Sequence, residues 1–487
     1  MKTKVYAIIL LSMISFGSVF GQSQNNHQLT IEKIMQDPNV WMGSLPGNIY
    51  WSDDSQTLYF DWNPDNKAQP DLYKITLENQ TPVRVNSVKR ESLPPREAEM
   101  NDMQTKKIYA KEGSLFLYDL EADSSQLLFS STHTIRNPSF THNDRGITFL
   151  MDGGFFRWDL PANTLKQLVQ FKNTTAPSDP KKSKKAKSRW LKNQQMELFD
   201  ILRRREKEKN KKDSLRQSQQ PEIPGVIFTG KSFATNVKLS PDEQYITYNL
   251  YRRGNSKRTK VPHYVNETGY LEVEEARAKV GENSFSYTIR VYDIAKDSTY
   301  GLQTENIPGI KEQPDYFEEY PELFTHEKAR EVHSFGPWWS GDGKNALVSL
   351  RSKDHKDRWL MLMNPSSGKL KLLDHQRDEA WIGGPGITRS GWGENLGWLP
   401  DSRHIWYQSE KTGYSHLYTL NIENQKEKAL TRGSFEIYNP RISNDKKYWY
   451  FSANKSHPGV RHSYRMPLTG GKMKQLTQKT GRHDVEV

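Results

Sequence analysis

Apolar and aromatic positions fall in short runs along most of this chain, separated by turns built from Ser, Asn, Asp, Gly and Pro. Such runs read as half-buried strands. Asn and Asp close tight turns with their own side chains, and Gly supplies positive φ. The stretch SEKTGYSHLYTLNIENQKEKALTRG, Ser409 to Gly433, holds a polar turn, a Leu-Tyr strand, a second turn and a Leu-Thr-x-Gly closer. Related units begin near Ile49, Glu97, Pro138, Asn236, Pro337, Leu396 and Pro440, and the second is the weakest. Four strands recurring about every 40 residues predict an all-β fold, a β-propeller with seven blade repeats. No unit can bury both of its faces alone, whereas stacking neighbours buries them all. A β-sandwich would not repeat its sequence in this way.

Two segments interrupt the repeats. In 175–220, Trp190, Leu191, Gln194, Leu198, Ile201 and Leu202 follow helical spacing, which predicts one inserted amphipathic helix with a charged tail. The second insertion, 251–285, splits the fourth unit inside a hairpin and is expected to be a loop.

Composition agrees with many short strands. Hydrophobic residues make up only 34% of the chain, yet 13 Trp, 23 Tyr and 19 Phe give bulk suited to pleated surfaces. The net charge of +12 suggests nucleic acid until it is located. Residues 181–220 hold 15 Lys and Arg against 5 Asp and Glu, so the remainder is close to neutral. No nucleic-acid partner is expected. The basic helix either packs its apolar face on the propeller or contacts a partner or anionic surface.

The N-terminus, MKTKVYAIILLSMISFGSVFGQSQ, has a basic start, an apolar run and small residues before Gln22. It reads as a signal peptide over 1–21, followed by a lead-in over 22–48 and the propeller over 49–487. Export to the periplasm or medium of a Gram-negative cell is the expectation. No later segment is apolar enough to span a membrane. With no Cys, there is neither a disulfide nor a thiol nucleophile.

Candidate chemistry is sparse. No Gly-x-Ser-x-Gly elbow occurs, and the Gly-rich stretch from Trp381 reads as turns. The histidines have no metal-ligand spacing, so no catalytic residue, metal or cofactor is expected. Two acid pairs stand out: Glu318-Glu319 in QPDYFEEYPEL and Glu274-Glu275 in LEVEEARAK. Paired carboxylates can hold an amine through charge-assisted hydrogen bonds, although most such pairs are simply solvated.

The stretches WLPDSRHIWYQSEKTGYSHLYTLNIENQKEKALTRGSFEI, PWWSGDGKNALV, LTQKTGRHDVEV and LTIEKIMQDPNVW resemble the N-terminal propeller of the dipeptidyl peptidase IV branch of the prolyl oligopeptidase serine peptidases, in exported bacterial forms. The likeness spans essentially the whole mature chain; the generic blade pattern alone would also fit TolB-like propellers. The resemblance implies an eight-bladed propeller that filters peptide substrates and caps a C-terminal α/β-hydrolase domain with a Ser, Asp and His triad. It also implies a Glu-Glu pair that holds the substrate's free N-terminus. Glu318 and Glu319 are the positional match, at a longer spacing than the family pattern. Seven repeats and the first residues of an eighth are present, so the last blade and the hydrolase domain are expected to be absent. The chain would then not be catalytic alone, with peptides and a separate hydrolase polypeptide as partners. The alternative is a standalone periplasmic, TolB-like binding or scaffolding module.

Overall fold

The computed structural model describes residues 30–38, 43–176, 204–205, 207–209, 211–212, 224–279, 282, 285–319, 328–387 and 394–484. The signal-peptide reading and most of the 181–220 helix reading lie outside these residues. The described positions of that segment, among them Arg204, Arg205 and Lys207, are helical and exposed.

The fold is a β-propeller of seven antiparallel blade sheets. The first sheet, with strands Gly47–Trp51, Thr57–Trp62, Asp71–Thr76 and Val83–Arg84, lies in a compact unit spanning Met1–Glu91. A second unit, Ser92–Val487, holds the other six, over 99–130, 135–172, 233–301, 332–377, 396–429 and 437–475. Every sheet runs in sequence order. The third gains a fifth strand, Gly225–Phe228, parallel to its outer strand Thr164–Lys172, where the chain returns from the first insertion.

Several sheets open a few residues before the repeat read from the sequence, because their first strand carries a β-bulge. Asn137, Asn236, Gly336 and Asn439 sit at positive φ there (49°, 48°, 104° and 48°), each at a register shift against the second strand or beside one. Gly and Asn tolerate that conformation best. The bulge kinks the strand and hides its start from a simple alternation pattern.

A Ser-x-Asp turn then repeats with the same bonds. Ser240, Ser340 and Ser443 each donate to the Asp two residues on, at 2.5, 2.6 and 2.6 Å. Each hydroxyl also accepts the N–H five residues on, that of Tyr245, Asn345 or Tyr448. The Leu-Thr closer has an equally local cause. Thr431 Oγ1 accepts from Leu417 N and lies 3.0 Å from His416 Nδ1; Thr477 repeats this with Ser463 N and His462. Six residues past each Thr, the N–H of Ile437 or His483 donates back to Ser415 O or Arg461 O, at 3.0 Å in both cases.

Alternation distributes the core. In Ala346–Ser352, Ala346, Val348 and Leu350 pack toward the fourth blade, with Tyr245, Ile289 and Val291, while Leu347 packs toward the sixth, with Ile405 and Tyr407. The whole strand is buried because both faces are covered, and Ser349, Arg351 and Ser352 are buried in it along with its apolar positions. The same two-sheet clusters join blades two to three, three to four and six to seven.

The 251–285 insertion, expected as a loop, contains a two-stranded ribbon. Strands Arg258–His263 and Glu272–Ala278 pair with each other, between the middle strands Tyr245–Arg252 and Ser286–Asp293 of blade four. Nearly every residue of the ribbon is exposed.

Candidate functional site: the connector between blades four and five

Glu318 and Glu319 lie on the long connector from Gly301, the end of blade four, to Val332, the start of blade five. Glu318 ends a 3-10 turn over Asp315–Glu318, and both acids are exposed. The described part of the connector has almost no regular structure, so its placement depends on side-chain bonds from Arg330, near its own end, and from blade five and the residues just beyond it.

Asp357 is the centre of that fastening. Its carboxylate is fully buried and accepts from His375 Nε2 at 2.7 Å and Arg330 Nη1 at 2.6 Å, with Arg377 Nη1 at 3.5 Å. Burial alone would raise its pKa. The His375 and Arg330 bonds, with the Arg377 charge, outweigh burial and hold it below the usual carboxylate range. The same cations grip the connector: Arg330 donates to Gly309 O and Ile310 O, and Arg377 to Gln313 O. Trp359 stacks on His375 at 5.0 Å and donates from Nε1 to Pro308 O, while Glu379 accepts from Asp315 N. Ile307 and Ile310 bury against the Trp359 side of blade five. A partner-starved loop therefore has five anchors just ahead of the acid pair.

Glu274 and Glu275 are adjacent in a ribbon strand, so their side chains leave opposite faces and cannot close on one ligand. Glu274 lies 3.0 Å from His263 Nε2 across the ribbon. Among the described residues no group of three or more His, Cys, Asp or Glu could hold a metal. His333 is buried against Phe285 and Phe335, and its Nδ1 accepts from Tyr287 N. Desolvation, with the nearby positive charge of Lys353, pushes its pKa down to about 4.

Sequence reasoning missed the buried ionic groups. Besides the Asp357 cluster, Arg351 and Arg358 share Glu394, with all three side chains at most 1% exposed and Arg351 Nη2 2.6 Å from Glu394 Oε1. The available signal was the charge inside ALVSLRSKDHKDRWLMLM, where Arg351, Asp357 and Arg358 occupy strand positions otherwise given to core residues.

Fold and connector together define a propeller that presents an exposed acid pair on a fastened inter-blade loop. Residues 232–487 match the family model described as dipeptidyl peptidase IV (DPP IV) N-terminal region, and the chain belongs to that family. Dipeptidyl peptidase 4 of Trichophyton equinum is 22% identical over 253 residues, covering 50% of this chain and 29% of its own. A probable dipeptidyl-aminopeptidase B of Aspergillus niger is 24% identical over 238 residues, covering 44% of this chain and 23% of its own. The matched part thus spans under a third of these relatives' length. The solved dipeptidyl peptidase 4 of Porphyromonas gingivalis aligns with 90% of this chain and 54% of its own, at 13% identity and a TM-score of 0.48.

Proposed function

We propose that this chain is the substrate-recognition propeller of an exported dipeptidyl peptidase IV-like serine peptidase. Glu318 and Glu319 hold the free N-terminus of a peptide. The observation that supports this is the exposed acid pair on a connector fastened, just ahead of the pair, by the Asp357 cluster, in a chain of this family. A solvated ammonium-carboxylate contact is weak when both sides are mobile, because ordering them costs entropy. Anchoring the loop beforehand removes much of that cost. Hydrolysis is assigned to residues outside this sequence, which holds no Gly-x-Ser-x-Gly elbow.

The test compares short Xaa-Pro peptides with their N-acetylated forms by titration calorimetry. Free amines should bind at least about tenfold more tightly, and Glu318→Gln with Glu319→Gln should erase the difference. Equal affinity for the two forms would overturn the assignment. In parallel, the purified chain should release no chromophore from Xaa-Pro anilides. Turnover blocked by a serine-directed fluorophosphonate would refute the view that it is not catalytic alone.

A further inference from the structure

A cleft of about 1140 Å³ opens in the second unit between blades four and five, at the end where the acid-pair connector runs. Its walls combine the end of the second strand of blade four, the start of its third, the connector itself and the start of blade five. Seven cations line it against two acids. Two of those cations are neutralised locally: Lys353 pairs with Glu331, and Arg330 with Asp357. Among the described residues, Arg252, Arg253, Arg290, Lys311 and Lys328 have no ion-pair partner, and Glu305 is the one acid of the lining left to oppose them.

These five cations come from four separate parts of the sequence, so no basic run accounts for their meeting. Bringing like charges to one concave wall costs Coulomb energy, and a cleft concentrates their field. A solvated surface scatters charges of both signs; this cleft holds a clear excess of one sign in a space large enough for several residues of peptide. Arg290 is half-buried and its guanidinium lies beside Gly301, where an added Cβ would come within 3.1 Å of it.

We infer that the cleft is an anion subsite for carboxylates of the bound peptide, acidic side chains or a C-terminal carboxylate, downstream of the N-terminus. The inference rests on the amine-binding reading of Glu318 and Glu319. One connector supplies both features: Lys311 precedes the acid pair and Lys328 follows it. A peptide crossing that connector meets negative charge at one place and positive charge at the other, which fixes its direction as well as its composition. Arginine on the wall suits carboxylates through paired N–H donors, and lysine adds point charge.

Four peptides test this by titration calorimetry on the full chain: free or N-acetylated at the start, and Glu-containing or Gln-containing at the third and fourth residues. The Glu-containing forms should bind roughly tenfold more tightly than their Gln counterparts, and the preference should shrink as salt rises. Arg253→Gln with Lys311→Gln should reduce the preference several-fold, and Arg253→Glu with Lys311→Glu should invert it. Circular dichroism and the effect of N-acetylation should stay unchanged in both variants. Loss of the acetylation effect with the acid preference intact would remove the amine reading and leave the cleft. An acid preference that is absent, or that persists in the charge-reversed variant, overturns the cleft assignment. Failure of every peptide to bind overturns both.

Discussion

Asp357 shows how much one buried carboxylate can organise. It compensates Arg330, which is almost fully buried, and through Arg330 and Arg377 it positions a connector whose described residues form no strand. Breaking a buried ion pair by removing one partner strands the other charge, at a cost of about 3–5 kcal/mol. Asp357→Asn, which keeps the shape, is expected to lose about 3 kcal/mol in denaturant unfolding. It should also raise hydrogen-exchange rates across 307–319 before the blade strands exchange; uniform exchange would show that the cluster does not fasten the loop. His333 gives a pH prediction. Its folded-state pKa near 4 lies below the ordinary 6.5, so the folded protein resists a proton that the unfolded chain accepts. Above pH 6.5 both states are neutral there and the residue has no pH effect. As pH falls from 6.5 to 4 it should withdraw up to about 3 kcal/mol of stability, and below 4 the loss should level off. Subtracting the stability profile of His333→Gln from that of the parent isolates this term, and a flat difference over that window would contradict it.

At the scale of elements, the ribbon and the connector are opposites. The ribbon pairs with itself and buries almost nothing, while the connector has no strand among its described residues and is held by five hydrogen bonds from four side chains. Replacing 254–284 by a two-residue hairpin turn should therefore leave the thermal midpoint within about 3 °C, because the flanking strands keep their pairing from Arg252 and Ser286 inward. A larger fall, read by scanning calorimetry, would mean that the ribbon contributes packing. Element type was legible in advance for the blades, because alternation, Ser-x-Asp turns and the Leu-Thr closer are all local. Strand starts were less legible. The bulges at Asn137, Asn236, Gly336 and Asn439 insert a residue, and the two-residue period breaks there. The sequence presents the 251–285 ribbon as a loop because its strands carry mixed polar residues on both faces, which leaves no alternation to detect.

For the molecule as a whole, the seven repeats, the family and the acid pair were all readable from residue order. Each depends on neighbours within one repeat, and a repeat reports itself by recurring. The sequence alone therefore determined an all-β propeller, the blade boundaries to within a few residues, and the connector on which Glu318 and Glu319 sit. Tertiary structure alone decided what surrounds that connector. Arg330, Asp357, His375 and Arg377 are spread over two strands and a loop, and Arg252, Arg253, Arg290, Lys311 and Lys328 over four segments. Net charge points to the run at 181–220, where the cations are close together in sequence, rather than to a cleft where they are not. The reason is physical: a repeat is built from short-range bonds that leave a mark in the order of residues, whereas charge convergence is a property of distance in space, and folding sets that distance.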